Sequence, residues 1–390
     1  MALTNTGWPA YTQEEVDAVA AVLASNRVNY WTGDETRAFE REFAEWAGSP
    51  CAIALTNGTV ALDLALEALG IGPGDEVVVT PRTFIASIST VVNAGATPVF
   101  ADVGADSGNI TPETISAVLT PRTRAIIPVH LGGWPCDMPA IMALAARADI
   151  KVVEDCAQAH GARIDGQSVG SFGHVGAWSF CQDKIMTTGG EGGMVTTADE
   201  ALWSRMWSYK DHGKDWEAVY NTAHPPGFRW LHNSFGTNWR MLEMQAVIGR
   251  IQLRRMAEWT RRRTEIAGRI AEVLRRYPEY VRVPAPQPGH THAYYRLYGY
   301  VGESWEAKGF GRNWFIEECA RRGVKVFQGT CSEVYLEKAF EGTPWRPRER
   351  LPVARALGEC SIMFLTHPTI DDSELARDCA VIAEVLDKAR

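Results

Sequence analysis

Residues 177–193 read AWSFCQDKIMTTGGEGG: a short apolar run closing on Ser179 and Phe180, a polar turn carrying Lys184, and a glycine-rich stretch. An apolar run of this length, bounded by turn residues, reads as a buried strand, so Lys184 lies just past a strand's carboxyl end. A lone loop lysine is ordinarily a solvated charge. An amine held at a strand end can instead take a carbonyl compound as a Schiff base, and its neighbours decide between the two readings.

Upstream, residues 151–162 read KVVEDCAQAHGA. Positions 151–154 form another strand, and Asp155 falls at its carboxyl end, where open α/β sheets place ligands. Taken alone, Asp155 reads equally well as a helix cap. Residues 52–70, AIALTNGTVALDLALEALG, give a strand at 52–55, a turn at Asn57 and Gly58, and a helix from near Thr59. Gly58 and Thr59 thus sit at a helix N-terminus, where free N–H groups and the helix dipole favour a phosphate. A phosphate cradle, an acid and a lysine on strands of one sheet are what pyridoxal 5′-phosphate (PLP) requires: an anion site, a partner for its pyridine nitrogen and an amine for its aldehyde.

Together with TFIAS (83–87), TPRTRAIIPVH (120–130) and GTNWRM (236–241), these runs resemble the DegT/StrS-type nucleotide-sugar aminotransferases, which are fold-type I PLP enzymes, over residues 10–250. The resemblance implies that Lys184 carries the cofactor and later shuttles protons. It implies that Asp155 pairs with the pyridine nitrogen, Gln158 contacts the ring hydroxyl, Phe84 stacks on one ring face, and Gly58, Thr59 and Ser179 hold the phosphate. Asn238 would reach that phosphate from a second subunit, giving a homodimer with shared sites. The amino donor implied is glutamate, the acceptor a nucleotide-linked keto-sugar, and the form of the cofactor between the two half-reactions pyridoxamine 5′-phosphate.

Two side chains become candidate substrate contacts. His212 lies in KDHG, a run the family places near the site, and Arg82 stands in TPRTFIAS where the common pattern has an aromatic or small polar residue. Residues 325–340, KVFQGTCSEVYLEKAF, also depart from the family's run before its sugar-contacting segment. Two other functions fit the same resemblance: a PLP-dependent sugar dehydratase or aromatic-forming relative, and a non-catalytic PLP-binding sensor. Sugar 3-dehydratases of the family carry histidine where Lys184 stands. Sensors usually carry an appended DNA-binding module, and residues 1–50 do not read as one.

Each residue also has a plain reading. Ser179 could face solvent, Phe84 could be core and Asn238 a turn residue. They gain weight because separate positions fall where a single ligand needs them.

Strand patterns recur at 52–55, 77–80, 98–100, 124–129, 151–154, 177–180 and 193–197, most of them separated by helical patterns, the alternation of a largely parallel sheet. The expected fold is therefore α/β, a fold-type I PLP transferase with a mostly parallel seven-stranded sheet domain and a smaller C-terminal α+β domain. N-terminal helices and the large PLP-binding domain would occupy 1–245, and a connecting helix with the small domain 246–390. The connector, a helical pattern over 241–277, is rich in arginine (RIQLRRMAEWTRRR). Such a stripe in an acidic protein reads as a solvated or acid-paired face.

Other functions are disfavoured. Gly70, Gly72 and Gly74 follow a helix and precede a strand, the reverse of a dinucleotide fingerprint. His160, His212 and His224 lack metal-site spacing, so no metal is expected. A formal charge of −8 opposes nonspecific nucleic-acid binding. No apolar run is long enough to span a membrane, residues 1–15 carry no signal-peptide pattern, and eight cysteines without paired spacing suit a reducing cytoplasm.

Overall fold

The computed structural model describes residues 7–389. Its larger sheet has seven strands: β1 (Cys51–Leu55), β2 (Glu76–Val79), β3 (Thr97–Phe100), β4 (Thr123–Ile127), β5 (Lys151–Asp155), β6 (Val175–Ser179) and β7 (Gly193–Thr197). Their order is β1-β7-β6-β5-β4-β2-β3. β6, β5, β4, β2 and β3 pair in parallel, whereas β7 runs antiparallel to both β1 and β6. The central strands are buried along almost their whole length, as strands covered on both faces must be. All seven expected strands are present; the reversed direction of β7 is a property of pairing that an apolar run does not encode.

β5 and β6 are neighbours. Their carboxyl ends, Asp155 and Ser179, therefore open on one edge of the sheet, with Lys184 a short turn beyond. Asn57 caps the helix Gly58–Ala68, its Oδ1 accepting the Val60 N–H at 3.0 Å, and this brings the helix start to the same edge.

The second sheet is antiparallel: β8 (Val281–Arg282), β9 (Arg296–Val301), β10 (Val326–Phe327) and β11 (Ser361–Leu365), in the order β8-β9-β11-β10. The helix Glu243–Leu274 belongs to two cores. Its first half, with Ala246 and Met256, packs with Phe39, Phe43 and Trp178 against the larger sheet, and its second half, with Ile266 and Ile270, packs with Phe315, Phe364 and Ile382. Most of its arginines are paired with acids: Arg250 with Glu35 and Glu42, Arg254 and Arg255 with Glu14, and Arg262 with Asp372. Arg263 departs from the exposed stripe. It is 0% exposed, with its Cζ 5.2 Å from the centroid of the Trp8 ring, because it shares the inward row of Ile266 and Ile270 at helical spacing.

Candidate active site

A cavity of about 750 Å³ opens where β5 and β6 end, and Gly58, Thr59, Phe84, Asp155, Gln158, Ser179 and Lys184 all line it. The first turn of the helix Gly58–Ala68 leaves N–H groups without intrahelical acceptors. A Cβ at Gly58 would lie 2.6 Å from Ser179 Cβ, so only glycine lets this turn sit against β6. Ser179 is buried rather than facing solvent, and its Oγ accepts the Cys181 N–H at 3.3 Å. Gly58, Thr59 and Ser179 together form a small polar cradle.

Asp155 is 6% exposed. Its Oδ2 accepts from Ser87 Oγ at 2.8 Å and its Oδ1 from the Ala157 N–H at 3.1 Å, while Thr83 Oγ1 lies 2.9 Å from Ser87 Oγ. Burial raises its pKa, and the hydrogen bonds from Ser87 and Ala157 and the charge of Lys184 offset this only in part. No helix begins at Asp155, which removes the capping reading. Gln158 Oε1 accepts the Gly132 N–H at 2.8 Å, fixing its amide. Phe84 is no core residue: its ring is 68% exposed although it forms part of the cavity wall.

Lys184 Nζ lies 3.5 Å from Asp183 Oδ1 and 5.2 Å from the centroid of the Tyr295 ring. Tyr295 donates its hydroxyl hydrogen to Asp183, and Trp8 Nε1 donates to the Lys184 carbonyl at 2.7 Å. Burial pulls the ammonium's pKa down, but Tyr295 and Asp183 outweigh it and the net shift is upward.

Two expectations are corrected. Arg82 does not line the cavity. It is 0% exposed, its guanidinium 5.2 Å from the Tyr298 ring and 5.7 Å from the Tyr300 ring, with Nη1 3.4 Å from Ser332 Oγ. β9 lies over it and closes off the route to a ligand, so Arg82 supports the cavity wall through Tyr298. His212 is an exposed turn residue at φ 62°, its N–H bonded to the Thr237 carbonyl at 2.8 Å, and it too lies off the cavity of its own chain. Asn238 is exposed, bridged through its backbone to Asp211, and likewise outside that cavity.

Ser87, Asp183, Tyr295, Arg296, Tyr298 and Thr330 also line the site and were missed from sequence. Ser87 left a signal, one helical turn after Phe84 in TFIAS. Tyr295, Arg296 and Tyr298 left none, because a strand pattern over 295–301 says nothing about which distant loop it faces.

The histidines make no metal site of their own. His160 packs on Trp178 and Phe180, and burial takes its pKa down to about 3. Among the described residues His130, Glu154 and Cys156 cluster with metal-ligand chemistry. His130 Nδ1 accepts the Cys136 N–H at 3.0 Å, so its Nε2 carries the proton and donates to Glu154 Oε2 at 3.1 Å. Glu154 also accepts the N–H groups of Gly170, Phe172 and Gly173. The trio is thereby committed to internal hydrogen bonds.

The model of the DegT/DnrJ/EryC1/StrS aminotransferase family matches residues 9–383. The chain belongs to that family. A curated DegT/StrS relative, UDP-N-acetyl-3-dehydro-alpha-D-glucosamine 3-aminotransferase of Acidithiobacillus ferrooxidans, is 38% identical over 363 residues, 91% of this chain and 89% of the relative. The solved aminotransferase from Psychrobacter cryohalolentis is 60% identical with a TM-score of 0.97, covering 98% of this chain and 99% of that one. DesV of S. venezuelae, solved in complex with a ketimine intermediate, is 32% identical with a TM-score of 0.84, covering 96% and 95%. This DegT/StrS-type chain is thus an aminotransferase of the fold-type I α/β architecture, and its cofactor is PLP.

Proposed function

We propose that the chain works as a homodimer that moves an amino group from glutamate to a nucleotide-linked keto-sugar, with the cavity residues in the roles that follow. The observation carrying this reading is that a nearly buried lysine, a buried and under-compensated carboxylate, and a glycine-built helix start share one cavity. The donor set fits PLP: the cradle of Gly58, Thr59 and Ser179 suits its phosphate, Asp155 its pyridine nitrogen, Gln158 its ring hydroxyl, and the bare face of Phe84 its ring. The sugar-nucleotide substrate named for the A. ferrooxidans relative supports the acceptor class.

Bound PLP supplies an electron sink for the pair left when a Cα–H bond breaks. Asp155 holds the proton on the pyridine nitrogen, since opposite charges in a low-dielectric site favour both charged forms. Lys184 Nζ takes the proton from the donor's Cα and gives it back elsewhere, a task that needs its neutral amine. Asp183 and Tyr295 hold that nitrogen in place, and the Trp8 bond anchors its backbone.

Asn238, off the cavity of its own chain, reaches the partner's phosphate cradle in this reading, so each site of the dimer is built from both subunits. Residues 1–245 and 246–390 serve as the cofactor and small domains. The eight free cysteines support a reducing cytoplasm, and no helix among the described residues is long and apolar enough to cross a membrane.

Borohydride reduction of the PLP-loaded protein followed by peptide mapping should place the pyridoxyl adduct on Lys184; an adduct on Lys151 or Lys210 overturns the assignment. Incubation with glutamate and a panel of nucleotide keto-sugars should release 2-oxoglutarate with at least one of them. Mixed Lys184→Ala and Asn238→Asp chains should regain activity as heterodimers, since one of the two sites is then free of both lesions. Mixed dimers that form and stay inactive place Asn238 outside the shared site.

A further inference from the structure

The charged side chains lining the cavity are Asp155, Asp183, Lys184, Glu191 and Arg296. Asp183 and Lys184 answer each other, Glu191 lies 3.7 Å from Cys181 Sγ, and Asp155 faces the place assigned to the cofactor's ring nitrogen. Arg296 is unaccounted for. It opens β9 with its Cζ 4.0 Å from the centroid of the Tyr295 ring, and Nη1 donates to the Tyr295 carbonyl at 2.9 Å. Among the described residues no carboxylate lies within ion-pair distance of it.

A second cation stands close by. None of the three guanidinium nitrogens of Arg263 has a hydrogen-bond acceptor among the described residues. Burial, and then the charge of Arg296, lowers its pKa to about 9. Lys184, Arg296 and Arg263 thus gather around Tyr295 with Asp183 as the nearest anion. Like charges repel strongly where water is excluded, and an arriving anion relieves them. The planar fork of a guanidinium fits a carboxylate in particular, and the cofactor's phosphate already has its cradle at Gly58, Thr59 and Ser179.

We infer that Arg296 is the carboxylate receptor of the cavity, and that the amino donor is an α-amino acid held there by its α-carboxylate. This rests on the aminotransferase reading, because a donor must bring its nitrogen to Lys184. Lys184 Nζ and Arg296 Cζ lie 5.2 Å and 4.0 Å from the centroid of one ring. In an α-amino acid the nitrogen and the carboxylate hang from one carbon, so both ends can be held at once beside that ring.

The test uses PLP-loaded protein and α-methyl-L-glutamate, which binds but has no Cα–H to give up, read by the change in cofactor absorbance. Arg296→Gln should raise its Kd about 10- to 100-fold, the scale of a lost charge-assisted hydrogen bond, with PLP retention unchanged. Arg296→Lys, which keeps the charge and loses the fork, should raise it less. On the wild-type protein, glutarate should compete with the probe while its neutral diamide does not, which tests the proposal even if a variant fails to fold. Equal competition by acid and diamide overturns it. So does an unchanged Kd in Arg296→Gln, whether accompanied by faster PLP loss, which makes Arg296 a cofactor ligand, or by a raised KM for the keto-sugar, which gives its anion to the acceptor. A wild-type protein that binds PLP but reacts with no amino acid refutes the aminotransferase reading itself, a result separate from these.

Discussion

Glu154 and Asp155 are adjacent on β5, both nearly buried, and a strand turns successive side chains to opposite faces. On one face Glu154 accepts three backbone N–H groups and a histidine N–H. On the other, Asp155 accepts one hydroxyl and one N–H, and its pKa is raised because burial exceeds that compensation. Both carboxylates were removed from water at the same place in the chain. The difference lies in how fully each is answered by the protein itself, and it separates a carboxylate that ties a loop to the sheet from one left open for a ligand's positive charge.

The sharpest way to break this contrast is to neutralise each acid without changing its size. Asp155→Asn should lower turnover on the order of 10²- to 10³-fold, the scale of losing one preorganised electrostatic partner, while the protein still folds and retains some PLP. Glu154→Gln should do the reverse. It sets an amide against N–H donors, destabilising the fold by roughly 2–4 kcal/mol, with turnover per folded molecule close to wild type. Chemical denaturation and steady-state rates on both variants decide the matter, and equal losses of activity would erase the distinction.

A smaller effect sharpens it. Ser87→Ala removes one hydrogen bond to Asp155 and should reduce kcat about 3- to 10-fold with the melting temperature little changed. A loss as large as that of Asp155→Asn would make the hydroxyl, not the carboxylate, the dominant group.

The smallest effect is one of stability in cofactor-free protein. A carboxyl whose folded pKa is raised above 3.8 takes its proton first in the folded state as pH falls, so ionised Asp155 weakens the fold at neutral pH and the penalty fades as pH drops through the raised value. Cofactor-free Asp155→Asn should therefore melt roughly 1–2 °C above wild type at pH 7, the gap closing toward pH 4. A lower melting point at pH 7 would show that Asp155 is answered after all.

Sequence patterns revealed the strands, the cap at Asn57 and the residues on the first side of the cavity, because each is a local matter: apolar runs, a turn before a helix, an acid at a strand end. They failed where the answer depends on what folds over a residue. Arg82 reads as a charge beside the site, yet β9 closes over it. Arg263 reads as one of a solvated stripe, yet its row faces a core. Arg296 and Tyr295 complete the far wall of the cavity from more than a hundred residues away, and nothing in their own neighbourhood announces Lys184.

The place of β7 has a consequence for how the chain is made. β1 pairs with β7 alone in the sheet, Cys51 opposite Thr197, so at ordinary rates of synthesis its backbone donors and acceptors wait on the order of ten seconds for their partner. During that interval an apolar strand end is open to other chains, the usual route to aggregation. The growing chain thus passes through a vulnerable stage that ends only when residues 193–197 leave the ribosome and slot between β1 and β6.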